Sequence, residues 1–371
     1  MAGLYIGLIS GTSMDGIDAA LVRLADDDRL EFIGALCVPY PPALADTLRE
    51  VINSGSVSSL RVHAQLDVSL GKAFAGAALS LLERTGRKAA QIKAIGSHGQ
   101  TVRHEPDADP PFTLQLADPN VIVALTGITT VADFRRRDVA LGGQGAPLAP
   151  VFHAAVLADP REYRAVVNIG GIANLTLLPP GTGGGVVGFD TGPGNGLMDA
   201  WIRSQRGEPY DRDGAWAASG QVIEPLLRAM LGDSYFQLAP PKSTGFEHFN
   251  LRWLERFVPK DGKHAPADVA ATLAELTART IAQSVQSHAA RCQRLLVCGG
   301  GVHNRTLMQR IAALLPGVAV HSTADAGLHP DWVEAAAFAW LAAQTLAGRP
   351  GNDPAVTGAR QASVLGAVFP A

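Results

Sequence analysis

The sequence predicts a two-domain α/β protein with a duplicated core. Its 371 residues exceed what one ordinary hydrophobic core encloses. The stretch "LYIGLISGTSMDGIDAALVRL" (Leu4–Leu24) reads as apolar strand, polar glycine loop and second apolar strand. That arrangement returns in "YRAVVNIGGIANLTLL" (Tyr163–Leu178), after the pattern restarts near Val139. Each unit continues with further strands and helices, and no residue-level repeat accompanies this likeness of elements. The boundaries drawn on this basis give one lobe from 1–135 plus 347–371 and a second from 136–346.

Along the first unit, strand-like runs occupy Leu4–Ser10, Ile17–Leu24, Glu31–Val38, Ile92–Ser97 and Thr113–Leu116. "PYPPAL" (Pro39–Leu44) reads as loop and helix start, since proline suits a first helical turn. Val57–Arg84 carries a helical stripe of Leu60, His63, Ala64, Leu66, Leu70, Phe74 and Leu81. "HEPDADPPF" (His104–Phe112) reads as an exposed loop. In the second unit "GGGVVGFD" supplies a third strand, and helices are expected from Gly196, Gln221 and Pro266. Strand Leu295–Cys298 runs into "GGGVHN", and Trp332–Leu346 is a closing helix. Gln205–Asp213 and Leu238–Asn250 are irregular; the "PPKSTGFEHFN" of the latter reads as a partly ordered surface or cleft loop.

Composition narrows the function. With 47% apolar and 18% charged residues the chain suits well-packed globular domains. A net charge of −3 offers no field for nucleic acid or an acidic membrane. Cys37, Cys292 and Cys298 show no metal or disulfide spacing and suit a reducing compartment. The N-terminus lacks the pattern of a secretion signal, and no apolar run is long enough for a membrane span. A cytoplasmic protein is expected.

Three glycine loops, Gly11–Gly16, Gly170–Asn174 and Gly299–Asn304, each follow an apolar strand. Glycine lets backbone approach a ligand closely, and inward N–H groups with the Thr12 and Ser13 hydroxyls make an anion nest. None is a Walker or dinucleotide fingerprint. Each alone reads equally as a plain turn; together, with Asp15 and Asp18 in or beside the first, they point to nucleotide phosphates. In "VGFDTGPGNGLMDAW" Asp190 is expected at a strand end, as a general base, an ion ligand through water, or a turn carboxylate. Asp199 reads as structural. His98 and Gln100 in "IGSHGQTVRH" are expected just beyond a strand, to bond a sugar or phosphate or to cap and fill. Asp133 and Arg135 stand at a strand end, while Arg136 and Arg137 read as solvated. Glu334 is either a first-turn helix carboxylate or a substrate contact. Asn304 either caps a helix or meets a ligand.

The strings "IGLISGTSMDGIDAALV", "SHGQTVRH", "ADFRRRDVALGGQGAPL", "VNIGGIANLT", "FDTGPGNGLMDAW", "CGGGVHN" and "DWVEAAAFAWLA" resemble the anhydro-N-acetylmuramic acid kinase family. The resemblance runs from about Ile6 to the C-terminus, with "SGTSMDGID" its most specific part. Met14, where relatives often have leucine, conserves volume. The resemblance implies the actin-like (acetate-and-sugar-kinase, heat-shock, actin) ATPase fold, with a duplicated α/β core and ATP in an interdomain cleft. By the same resemblance Gly11, Thr12, Ser13, Met14, Asp15, Gly16, Ile17 and Asp18 form the first phosphate hairpin. Gly170, Gly171 and Asn174 form the second, and Gly299, Gly300, Gly301 and Asn304 the adenosine-side loop. Asp190 is implied as the base that activates water, with Glu334, Asp133, His98 and Arg135 toward the sugar. The implied reaction opens the 1,6-anhydro bridge of 1,6-anhydro-N-acetylmuramic acid and phosphorylates the 6-oxygen, in murein recycling. ATP comes with Mg²⁺ held mainly by phosphates and water, and a homodimer is implied. Two rivals stand beside this: a related kinase or hydrolase with another acceptor, and a nucleotide-gated binding protein of the actin or chaperone kind.

Overall fold

A computed structural model of the chain describes residues 2–11, 14, 16–26, 29–181, 185–258 and 262–371. The chain divides into two units, residues 1–156 with 332–371, and residues 157–331.

The first unit opens with β1 (Gly3–Ser10), β2 (Ile17–Leu24) and β3 (Leu30–Val38), an antiparallel run. β1 is buried from Leu4 to Ser10, as its unbroken apolar sequence requires of a strand covered on both faces. α1 (Pro42–Ser54) starts on a proline, and α2 (Leu60–Thr85) starts on Ser59, whose hydroxyl accepts from the Val62 N–H at 3.2 Å. That cap sets the helix start three residues later than Val57. Leu60 accordingly stands 86% exposed ahead of the buried stripe of Leu66, Leu70, Phe74 and Leu81.

β4 (Ile92–Glu105) is far longer than the Ile92–Ser97 expected. Its first half lies parallel to β1; beyond Gly99, at φ +75°, it pairs with β5 (Phe112–Leu116). α3 (Pro119–Thr126), β6 (Thr130–Ala132), α4 (Arg136–Ala140) and α5 (Ala149–Leu157) come next, with β6 parallel to β4.

The second unit contains β7 (Arg164–Ile169), β8 (Ile172–Leu178) and β9 (Val187–Pro193), again an antiparallel run. Its helices are α6 (Asn195–Arg206), α7 (Ala215–Ser219), α8 (Glu224–Leu231), α9 (Leu251–Leu254) and α10 (Pro266–His288). β10 (Arg294–Cys298), α11 (Arg305–Leu314) and β11 (Ala319–Ser322) complete it, with β10 parallel to both β7 and β11. α10 is buried on most of its circumference, through Val269, Leu273, Leu276, Ile281 and Val285 among others, and so forms the centre of this core.

The chain then returns to the first unit as α12 (Val333–Leu346), α13 (Pro354–Thr357) and β12 (Ala367–Phe369), the last antiparallel to β6. α12 lies directly on β1 and β4. A Cβ on Gly7 would run into the Ala335 carbonyl, and one on Gly96 into the Phe338 carbonyl. Only glycine in the strands, facing an alanine-rich helix, permits so close an approach. This packing carries 332–346 into the first unit, and α4 and α5 carry 136–156 there as well. Both boundaries read from the sequence, 135/136 and 346/347, therefore shift.

The strand orders are β3-β2-β1-β4-β6 in the first unit, with β12 and β5 added, and β9-β8-β7-β10-β11 in the second. With β5 and β12 set aside, both read third, second, first, fourth, fifth, with three antiparallel strands and two parallel additions. The duplicated core predicted from the repeated hairpins is present.

Candidate active site

In the first unit β1, β4 and β6 run parallel, so the segments leaving these strands emerge at one carboxyl edge, where α/β sheets hold their ligands. Gly11–Gly16 joins β1 to β2 there; Thr12, Ser13 and Asp15 lie outside the described residues. Met14 is left-handed at φ +56°, and its N–H donates to the Gly11 carbonyl at 3.2 Å. Gln100 steadies the same carbonyl through Nε2 at 3.4 Å and accepts from the Tyr40 hydroxyl at 3.3 Å. Ile17 and Asp18 belong to β2 rather than to the loop. Ile17 is 1% exposed in the core, so only its backbone can face a nucleotide, while Asp18 pairs in register with Ile9 and Cys37. Gly16 is buried against Cys37 and Val38.

His98, Arg135 and Glu334 come together on this unit. His98 lies within β4, not beyond its end, and its ring packs 4.6 Å from Phe338 of α12. Its Nδ1 is 2.9 Å from the Gly99 carbonyl, which can only accept, so Nδ1 carries the proton. Nε2 then accepts from Arg135 Nε at 2.8 Å. Burial, and then the Arg135 charge, hold His98 well below the ordinary imidazole range, so it is neutral. Arg135 also donates to the Gly145 carbonyl at 2.7 Å; burial lowers it to about 10, against the pull of Glu334 and Asp138. Glu334, in the first turn of α12, is open to water on one side and crowded on the others. Desolvation raises its carboxyl and Arg135 opposes the rise. Asp133, left-handed at φ +62°, turns elsewhere: its Oδ2 is 3.6 Å from Arg136. Asp133 and His98 line a cavity with Asp67, Gln115 and Ser97, whose buried hydroxyl has no partner among the described residues.

In the second unit β7, β9 and β10 end at one edge, and three glycine-bearing turns meet there. Gly170–Gly171 is a two-residue hairpin rather than a five-residue loop, because β8 already begins at Ile172; Asn174 sits in β8, opposite both Asn168 and Asp190. The Asn195 N–H donates to the Gly170 carbonyl at 2.7 Å and the Gly196 N–H to Gly171 at 3.1 Å. These bonds tie the α6 N-terminus to the hairpin. The Asn195 side chain donates to Ile169 at 3.0 Å and borders Gly300 and Gly301. Gly299, at φ +76°, turns the chain out of β10, and its N–H reaches the Pro330 carbonyl at 3.0 Å. Asn304 caps α11, its Oδ1 accepting from Leu307 N–H at 2.9 Å. The edge thus presents glycine backbone rather than bulky side chains, so a ligand can approach the chain closely there.

Asp190 is the middle residue of β9, not its end; the strand runs on to Pro193, which pairs with Ile172. One segment grips it at three atoms. Thr244 N–H donates to Oδ2 at 3.0 Å, the Asp190 N–H donates to the Lys242 carbonyl at 3.0 Å, and the Tyr235 hydroxyl donates to the Asp190 carbonyl at 2.8 Å. Burial lifts the Asp190 carboxyl to about 6, with Glu247 adding to the rise and the Thr244 N–H and Lys242 opposing it. Such a carboxylate is an effective proton acceptor near neutral pH. Sequence reading missed Tyr235, Lys242, Thr244 and Asn195. The only trace of Lys242 and Thr244 was the irregular "PPKSTGFEHFN" itself, which has no periodicity to follow, and Tyr235 lies ahead of that string.

Two copies of one α/β strand order, with glycine turns gathered at the carboxyl edges, define a two-domain protein with the actin-like fold. The chain belongs to the anhydro-N-acetylmuramic acid kinase family, whose model matches residues 3–371. It is 53% identical over 370 residues to the anhydro-N-acetylmuramic acid kinase of Xanthomonas campestris pv. campestris (strain 8004), covering 99% of this chain and 97% of that one. Among solved structures it is similar to the activator of the 2-hydroxyisocaproyl-CoA dehydratase from Clostridium difficile with bound ADPNP, at 11% identity and TM-score 0.46. That likeness covers 91% of this chain and 92% of the other. A ROK family glucokinase from Streptomyces griseus in complex with glucose and AMPPNP is 14% identical with TM-score 0.39, covering 91% and 99%.

Proposed function

We propose that this chain is a kinase that opens 1,6-anhydro-N-acetylmuramic acid with water and phosphorylates its 6-oxygen, with Asp190 as general base. Family membership supports the substrate. The observation that carries the mechanism is a carboxylate raised to about 6, with Oδ2 occupied by the Thr244 N–H. Asp190 takes a proton from water, and the water oxygen bonds to the anomeric carbon. The bond from that carbon to the bridging oxygen breaks, and its electron pair becomes the nucleophile on the 6-position. That oxygen bonds to the γ-phosphorus, the bond to the β-phosphate oxygen breaks, and ADP leaves. The proton on Asp190 is released to solvent. The rest is positioning and neutralisation of charge.

ATP is the co-substrate and Mg²⁺ enters with it, held mainly by phosphates and water. The glycine turns at 11–16, 170–171 and 299–301 are the proposed phosphate and adenosine contacts, with Arg135, His98, Glu334 and Asp133 toward the sugar. Cys37, Cys292 and Cys298 are in no disulfide among the described residues, which suits a cytoplasmic setting, and no helix among the described residues is long and apolar enough to cross a membrane. The family resemblance supports a homodimer, to be read from sedimentation mass.

The test uses oxygen-18 water. The label is expected on the anomeric hydroxyl of the product and absent from phosphate. Asp190→Asn should retain ATP binding and lose about 10²–10⁴ in turnover, the usual contribution of a general base. Label in free phosphate, or near-normal turnover of the variant, would overturn the mechanism.

A further inference from the structure

The segment that grips Asp190 is itself pinned. Lys242 Nζ donates to the Tyr235 carbonyl at 3.3 Å and stands 4.8 Å from the centre of the Tyr235 ring. Tyr235 is buried among Phe236, Phe249 and His248. Asp233 anchors this cluster, accepting from Tyr235 N–H at 3.0 Å and Trp253 Nε1 at 2.8 Å, with His248 at 3.3 Å. The chain from Tyr235 to Thr244 is thus fixed at one end by aromatic packing and at the other by Asp190. Lys242 joins the two ends.

We propose that Lys242 is a positioning residue for the base: its ammonium, docked on Tyr235, holds the Tyr235–Thr244 segment against Asp190 and keeps a positive charge beside the carboxylate. This rests on the reading of Asp190 as base. The charged and titratable groups around Asp190 are Lys242, Glu247 and Tyr235. Burial, and then Asp190 itself, push the Tyr235 phenol far up, so it stays neutral and its hydroxyl keeps donating. Glu247 repels the ionised carboxylate and Lys242 stabilises it, so Lys242 is the cation of the three. His248 lies beyond Tyr235 and is engaged by Asp233.

Removing the ammonium disfavours ionised Asp190, so the acidic limb of turnover moves to higher pH. The test measures kcat and both KM values from pH 5 to 9 for the full chain and for Lys242→Met, Lys242→Arg and Asp190→Asn. Lys242→Met keeps the stem over the ring. It is expected to move the acidic limb up by about half a pH unit, an about two- to threefold loss at pH 6 that almost disappears at pH 8. Lys242→Arg should restore the limb, and Lys242→Gln is read in the same way if the methionine variant does not fold. An unmoved limb, or a loss confined to either KM, overturns the proposal. Should Asp190→Asn keep its turnover, the base reading fails instead.

Discussion

The base proposed for the reaction must be ionised to act yet sits where ionisation is disfavoured, and the protein carries that cost in its stability. The Asp190 carboxyl rises from 3.8 to about 6 on folding. A raised pKa favours folding fully below the unfolded value, and the benefit is lost as pH climbs through the folded one. Wild-type stability therefore falls between about pH 4 and 6 on this account. Asparagine keeps an acceptor for Thr244 and carries no charge. Asp190→Asn should be more stable above pH 6, by about 1–2 kcal/mol once partial solvent access is allowed for, with no advantage below pH 4. Thermal denaturation of both proteins across this range checks it; equal melting temperatures at pH 8 would remove the strain assigned to Asp190.

At the scale of elements, the seating of α12 on β1 and β4 governs half of the proposed sugar contacts. α12 carries Glu334 in its first turn, and Phe338 on the same helix packs on the His98 ring. Gly96→Ala would drive a methyl group into the Phe338 carbonyl, and the helix must lift. Overpacking of this kind costs about 1–3 kcal/mol. The expected result is that stability loss together with a raised KM for the sugar, while the acidic limb set by Asp190 stays in place; steady-state kinetics against pH decide it. Much of this scale was legible in the chain. Both hairpins and β10 announce themselves as apolar runs beside glycine, and a cap is one of the two readings open to Asn304 because its neighbours read as a helix. Asp190 read as a strand end because "TGPGN" looks like a turn, yet pairing with β8 carries the strand through to Pro193. β4 read short because Gly99 interrupts its pattern without ending its pairing. The Tyr235–Thr244 segment was illegible for a different reason. Its order comes from three bonds to a residue distant in sequence and from an aromatic cluster, neither of which leaves a period in the chain.

At the scale of the molecule, the two units differ in how the chain supplies them. The second is continuous, residues 157–331, with its own sheet and core around α10. The first needs both 1–156 and 332–371, since α12 covers β1 and β4 and β12 extends the sheet from β6. A fragment of residues 157–331 is expected to unfold as one cooperative transition, while residues 1–156 alone should show none; calorimetry of the two fragments tests this, and a cooperative 1–156 fragment would refute it. The closing helix also sets an order of birth. During synthesis the strands of the first unit leave the ribosome earliest, but their glycine-faced surface must wait for the last 40 residues, those from 332 to 371. The unit made second can finish first. At about 5–20 residues per second, the roughly 215 residues after 156 impose a delay of about 10–40 seconds. For that interval the first half of the chain depends on chaperones or on its own solubility, with the seat for α12 standing open.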